Sequence, residues 1–426
     1  MEGSFKRAWC LLLSLCALSF GVSLKEAEKA ALENFRELRI EKLEFEKKRQ
    51  ERLERFGRFL PQINLEASFN LSRRQSFSFT LPPLPPQELV FQKESYPKFT
   101  LQLIQELYSL PSLREYEMSR LLESSQRYLI EEKELNLLFR VREAYIKALM
   151  AKSSVEIYRK HLQRIRSHLR DVEELYREGV VAYKDVLETR VKLYEVREKL
   201  TSAEANYRKA LDYLSYLVGE TVDGVEEIEM GEFEDISTRS EEELLSLLRG
   251  RPLLRYLRES LRVAEKSVDL AESYFYPQVV LSAFFQRTEE SELFPKSRYL
   301  VSLALRWNLF SGLRRFRVLE ASRISRRQAL ERYRDAEEKL RLELRSALED
   351  VRTAQAKLEL AREQLRSAQE HLRIAEEKFR AGLGTNTEVL DAQSYLTTAE
   401  ETLKMNSYEL LLTLFKLYEV TGYEER

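Results

Sequence analysis

The chain has 426 residues, 43% of them apolar and 33% charged, with 70 Lys plus Arg against 71 Asp plus Glu. That apolar share excludes a disordered tail, and the even interleaving of the two charge signs excludes a basic face for nucleic acid. Only 12 Gly and 10 Pro interrupt the chain, which leaves room for very long helices.

At the N-terminus Lys6 and Arg7 precede the apolar run from Ala8 to Phe20, with small Ser19 and Gly21 spaced for signal peptidase. Residues 1–21 therefore read as an export signal, cleaved near Gly21. Cys10 and Cys16 both lie inside it, so the mature chain carries no disulfide and no cysteine metal site. Cleavage as a lipoprotein before Cys16 fits poorly, because Leu15 stands where a small residue is wanted. Past the signal, no stretch approaches the roughly 18 consecutive apolar residues of a spanning helix. Ser23 and Glu26 open the first helix as a capping box.

From Gln62 to Ser72 the chain alternates without a fault, with Ile63, Leu65, Ala67, Phe69 and Leu71 on one face and Gln, Asn, Glu and Ser on the other. A period-two segment of about 9 to 11 residues is the length of a tilted strand crossing a bilayer. Phe99 to Leu107 makes a second strand that slips near Ile104, and a polar, proline-rich loop, Arg73 to Pro97, joins the two. A helix from about Pro111 to Arg177 follows, roughly 65 residues and on the order of 100 Å long at about 1.5 Å per residue. The turn YREGVVAYKDVLET, Tyr176 to Thr189, leads into a return helix ending at Gly219. The acidic, aperiodic stretch Gly219 to Ser237 belongs to a linker over residues 219–250, expected at mid-height beside the helices.

The second half repeats the first. Strands run over Gln278 to Arg287, with Val280 and Phe284 on the supposedly polar face, and over Tyr299 to Leu309; Gly312 marks the passage to helix. Beyond it an unbroken heptad stripe runs Leu340, Leu344, Ala347, Val351, Ala354, Leu358, Ala361, Leu365, Ala368, Leu372, Ala375, Phe379. Moved 203 positions back, that stripe falls on Leu137, Val141, Ala144, Ala148, Ala151, Val155, Tyr158, Leu162, Ile165, Leu169, Val172 and Tyr176. FRAGLGTNTEVLDA repeats the glycine turn, Gly382 falling on Gly179 and Gly422 on Gly219. Residues 22–218 and 251–426 are thus two structural repeats: helix, strand, loop, strand, very long helix, tight turn, long helix. Each repeat places its strands at one end and its glycine turn at the other. Four strands in lipid would leave two unpaired edges, so association is expected.

SLKEAEKAALEN, the strand openings PQINLEASF and PQVVLSAFF, LRWNLFSG, YREGVVAYKDVL and FRAGLGTNTEVLDAQ, taken with their order along the chain and the duplicated layout, give the chain its resemblance to the TolC family of outer-membrane efflux proteins, over essentially the whole mature length. The resemblance implies a mixed membrane protein, a long coiled-coil α-helical barrel joined to a transmembrane β-barrel. It implies a homotrimer with four strands per protomer, held in outer-membrane lipid and served by a periplasmic adaptor protein and an inner-membrane transporter. Both glycine turns then become periplasmic tips. By the match to TEVLDA, Glu388 and Asp391 take the positions of the family's acidic entrance ring, and Asp185 that of a carboxylate in its closing contacts. Glu188 joins them by its spacing of three from Asp185, which puts both on one helix face. Gly179, Val180, Val181, Gly382, Leu383 and Gly384 are the expected adaptor-docking residues. Gly384 stands where the best-known member has an arginine and Phe379 where it has a tyrosine, so other contacts must hold the closed state.

No Gly-rich phosphate loop, nucleophile elbow or HExxH motif occurs, so neither an enzyme nor a cofactor is expected. His161, His168 and His371 lie beside heptad leucines and read as exposed helix surface, with no metal role. The function expected is a passive outer-membrane duct for efflux or type I secretion, its cargo set by the pump. The alternative is a soluble periplasmic coiled-coil scaffold, which would not insert into a membrane.

Overall fold

The computed structural model describes residues 21–228, 231 and 233–423. The export signal lies outside them. The chain divides into two compact units, a strand-bearing unit of residues 42–129 and 253–335 and a helical unit of residues 21–41, 130–252 and 336–423.

The strand-bearing unit holds one antiparallel sheet in the order β1 (Gln62–Leu71), β4 (Ser95–Tyr108), β5 (Gln278–Thr288), β6 (Ser297–Arg306). β1 pairs with β4 from Gln62–Ile104 to Leu71–Ser95, and β5 with β6 from Gln278–Arg306 to Arg287–Ser297. β4 and β5 join the two hairpins, so the sheet has two open edges, β1 and β6. Three expectations change here. The slip foreseen near Ile104 falls between Glu106 and Tyr108, where the register against β5 shifts. The polar loop after β1 folds into a second hairpin, β2 (Gln75–Phe79) with β3 (Gln87–Gln92). Phe77 faces Leu89 across the strands and stacks on Phe79, despite the proline turn between. β6 stops at Arg306, before Trp307, because the indole Nε1 donates to Phe275 O at 3.0 Å and the chain then turns through Gly312 at φ +61.

α1 (Leu24–Asn34) carries the expected capping box, Ser23 N donating to Glu26 Oε2 at 3.0 Å. α2 (Arg36–Gly57), α3 (Leu110–Arg177) and α7 (Arg314–Arg380) have residues in both units, while α4 (Tyr183–Val218) and α8 (Asn386–Thr421) lie in the helical unit. α4 and α8 have 36 residues each and end on left-handed glycines, Gly219 and Gly422. The heptad stripe of α7 is the buried one, Leu340 through Phe379 at 9% exposure or less, with Leu365 half-buried.

The linker is more ordered than its composition suggests. Ser240 and Glu243 form a capping box that starts α5 (Glu241–Arg249), burying Leu244 and Leu248, and α6 (Pro252–Ser273) follows. Val22 bridges to Val225, and the fully buried Tyr145 hydroxyl donates to Val22 O at 2.8 Å and accepts from Glu226 N at 2.9 Å. Arg251 and Glu132, both 5% exposed, form a 2.8 Å ion pair, and Arg251 Nη1 also donates to Val420 O. A buried pair of this kind fixes position more than it adds stability.

Candidate functional site

Both glycine turns belong to the helical unit, and their backbone geometry is the same. Val180 N donates to Leu175 O and Gly179 N to Tyr176 O; Leu383 N donates to Lys378 O and Gly382 N to Phe379 O. These are Schellman closures, which need a left-handed residue, and Gly179 and Gly382 supply φ +76 and +70. The turns pack into one core in which Val172, Val186, Leu372, Phe379, Val389 and Leu396 meet.

The caps differ. Thr385 accepts from Glu388 N at 3.2 Å through its hydroxyl, whereas Ala182 has no side-chain cap and its N–H instead finds Asp185 Oδ2 at 3.1 Å. Beyond the second cap lies a buried polar cluster that the sequence reading missed. Asn386, 2% exposed, donates through Nδ2 to Asp185 O at 3.2 Å, which leaves its Oδ1 facing His168 Nε2 at 2.8 Å and the Thr189 hydroxyl at 3.2 Å. With the amide so oriented, His168 donates from Nε2 to Asn386 Oδ1. Burial pushes its pKa down, more than the Asn386 contact raises it. The imidazole also meets the edge of Phe379, ring centroids 5.4 Å apart, so one histidine ties α3 to α7 and α8.

The histidines correct an expectation. His161 and His168 are 4% and 6% exposed, not surface residues, and only His371 is exposed. The reason is a second buried stripe on α3, Ser153, Ile157, His161 and His168, which runs beside the heptad one and meets it at Ile165 and Val172. Its steps of four and three were legible once polar members were allowed on a buried face. Both ring nitrogens of His161 lack a hydrogen-bond partner among the described residues, and burial, with Arg164, Lys192 and Lys199 adding to it, pulls its pKa down to about 4.

The four expected carboxylates separate into different settings. Asp185 is half-buried in the cap of α4. Glu188 pairs with Lys184 at 3.3 Å and accepts from the Thr387 hydroxyl at 3.4 Å. Glu388 and Asp391 are exposed and form no ion pair among the described residues. Glu188 and Asp391 line one groove of about 400 Å³ between α4 and α8, floored by Leu187, Val191 and Leu390. Of the expected docking residues, Val180 and Leu383 stand out at 61% and 83% exposure, while Val181 packs against the shared core. Gly384 sits in a tight place: a Cβ there would lie 3.0 Å from Lys378 Cβ, 3.1 Å from Phe379 N and 3.2 Å from Glu388 Oε2, so a larger residue needs its neighbours to give way. Among the described residues, no helix is long and apolar enough to cross a membrane, and no three His, Cys, Asp or Glu residues are placed to hold a metal.

The sequence profile described as outer membrane efflux protein matches residues 29–220 and 244–423. The alkaline protease secretion protein AprF of Pseudomonas aeruginosa is 25% identical over 336 residues, 76% of this chain and 69% of that protein. Three solved structures share the fold. CusC superposes with a TM-score of 0.82 at 18% identity, covering 95% of this chain and 93% of that one. The Campylobacter jejuni CmeC outer membrane channel gives 0.79 at 16%, covering 94% and 85%. The open state of the Neisseria gonorrhoeae MtrE outer membrane channel gives 0.76 at 16%, covering 94% and 88%.

Proposed function

The chain belongs to the outer membrane efflux protein family, and from that premise we propose that it is the passive exit duct of a trans-envelope export system, a homotrimer. In that system an inner-membrane transporter supplies the energy and a periplasmic adaptor couples it to the helix turns. The protein resides in the outer membrane, its helical part in the periplasm.

The observation that carries this reading is the open sheet. β1 and β6 each leave an edge unpaired, and both expose apolar side chains, Ile63, Leu65, Phe69 and Leu71 on one and Tyr299, Val301, Leu303 and Leu305 on the other, each at 65% exposure or more. Hydrocarbon tolerates neither a free edge nor a partial barrel. Four strands from each of three copies would close into twelve, with the apolar faces outward.

At the turns, Glu388, Asp391, Glu188 and Asp185 are assigned to the periplasmic aperture. Three copies of the two unpaired carboxylates would place a concentrated negative field at its mouth, drawing cations and repelling anions. Val180 and Leu383, with Gly179, Gly382, Gly384 and the backbone of Val181, are assigned to adaptor docking. Opening then means separating helix pairs held by the shared core and by the His168–Asn386 contact. The duct adds no chemistry, so selectivity rests with the pump; the likeness to a protease-secretion protein favours a polypeptide cargo over a small molecule.

The test is conductance of purified protein in planar bilayers, wild type against Glu388→Ala with Asp391→Ala. The expected result is a small cation-selective current, blocked by multivalent cations, whose selectivity and block are lost in the variant. Unchanged selectivity would remove the acidic aperture and leave the duct. Failure to insert at all would overturn the duct in favour of a soluble scaffold.

A further inference from the structure

Between residues 293 and 319 the chain carries Lys296, Arg298, Arg306, Arg314, Arg315 and Arg317 and no aspartate or glutamate, against near balance overall. Lys296 and Arg298, at the start of β6, are engaged by Glu289 and Gln286. The other four arginines lie where β6 ends and α7 begins. Arg315 is held by neutral groups: Nη1 donates to Tyr274 O at 2.9 Å, Nε to Ser311 Oγ at 3.1 Å, and its guanidinium sits 4.9 Å from the Phe275 ring centroid. Arg306, Arg314 and Arg317 form no ion pair among the described residues, while Glu272 and Glu320 both lean to Arg323.

The matching junction of the first repeat is built differently. There Arg55 and Arg58 both reach Glu115, at 2.9 and 2.6 Å, and Arg52 pairs with Glu123. Charge is cancelled within the chain at one junction and left standing at the other.

Arg306, Arg314 and Arg315 line a cavity of about 700 Å³ together with Tyr274, Tyr276 and Trp307. Guanidinium groups gathered without a carboxylate repel one another, and their planar forks fit phosphate oxygens. The neighbouring Leu309, Phe310, Leu313 and Phe316 are 56% to 77% exposed. A free anion gains only from the guanidinium groups, whereas an amphiphile gains from them and from the apolar side chains. Trp and Tyr beside arginine are also the residues that settle at a bilayer boundary.

We propose that this cavity binds the phosphate headgroup of an anionic phospholipid in the periplasmic leaflet of the outer membrane. Arg306, Arg314 and Arg315 take the phosphate, and Trp307 with Tyr274 seats the glycerol end at interfacial depth. The proposal rests on the duct reading, because it needs β6 in the bilayer.

The experiment measures lipid retention by native mass spectrometry of the purified oligomer in detergent, with phosphatidylglycerol, phosphatidylcholine or inorganic phosphate added. Phosphatidylglycerol should be retained about tenfold more strongly than phosphatidylcholine, and Arg306→Gln with Arg314→Gln should abolish the difference. Arg314→Lys with Arg315→Lys, which keeps the charge and loses the fork, should retain part of it. Competition by inorganic phosphate at equal concentration would identify a site for free anions and overturn the lipid assignment. Equal retention of the two lipids, or an unaltered preference in the glutamine variant, would overturn the site itself. Membrane fractionation of the same preparations reads insertion separately, so a failed duct and a failed lipid site give different results.

Discussion

Two helices copied from one pattern live in different surroundings. Over residues 130–177, α3 is buried along two adjacent stripes that include Glu132, Ser153, His161 and His168; over residues 336–380, α7 buries its heptad stripe and leaves its flanks bare. Ile157 of α3 is 6% exposed, and Leu360, its counterpart 203 positions on, is 59% exposed. Leu342 of α7 is 69% exposed. The duplication copied a heptad, but the chain supplies enough neighbours for only one of the two helices. An apolar flank repeated along a helix is what a second copy of the chain would cover.

The comparison breaks most easily at that flank. In the proposed trimer Leu342 and Leu360 lie against a neighbouring protomer, so Leu342→Ser with Leu360→Ser should weaken association by about 4 kcal/mol per interface, from roughly 2 kcal/mol for each buried leucine. Size-exclusion with light scattering should find monomers where the wild type gives trimers, while far-ultraviolet dichroism of the monomer stays helical. Ile157→Ser should instead unfold the protomer. A double variant that stays trimeric would mean that the flank faces water and the interface lies elsewhere.

A second contrast concerns charge. His161 has a folded pKa of about 4 against about 6.5 in the unfolded chain, so the unfolded state binds the extra proton first as pH falls. The stability tied to the neutral ring is therefore whole above pH 6.5 and is lost down to pH 4, a change of about 3 kcal/mol. His161→Leu should flatten that part of the acid profile and, by filling a site with two unpartnered nitrogens, raise stability at neutral pH. Urea midpoints at pH 7 and pH 4.5 for the wild type and the variant decide it; parallel shifts in both would assign the acid sensitivity to carboxylates common to them.

What was legible in the sequence was whatever repeats with a period. The alternation of β1, the heptads of α3 and α7 and the glycines of both turns each rest on local geometry, and each appears within a few residues of its expected place. β2 and β3 were hidden by PPLPP, which reads as loop although two short aromatic strands flank it. α5 was hidden by the acidic composition around it, although Ser240 and Glu243 form a capping box as regular as that of Ser23 and Glu26. The polar cluster at the turns was illegible for a different reason. His168, Thr189 and Asn386 belong to three helices, and only tertiary packing brings them within hydrogen-bonding distance. The aperture carboxylates were visible as residues, and the spacing of four between Lys184 and Glu188 is that of a helix ion pair, but the contact of Glu188 with the Thr387 hydroxyl of another helix had no local signal.

That cluster also offers the finest division between the repeats. Asn386 has Tyr183 as its counterpart, and Tyr183 is 51% exposed, resting on Tyr176 with ring centroids 5.4 Å apart. The same helix start is thus an outward aromatic in one repeat and an inward amide in the other. Asn386→Ala leaves His168 Nε2 and the Asp185 carbonyl without their amide partner in a buried place, at a cost of about 2 kcal/mol. Tyr183→Ala removes an exposed ring contact and should cost less than about 1 kcal/mol. If the cluster holds the turns closed, Asn386→Ala should show more than a lowered melting temperature: its single channels should open spontaneously, and those of Tyr183→Ala should not. Asn386→Asp adds a sign to the test, because a carboxylate facing His168 favours the imidazolium and should restore closure as pH falls. Equal leak from the alanine variants at both positions would mean that the two turns share the work of closure, and that the asymmetry of their caps is structural.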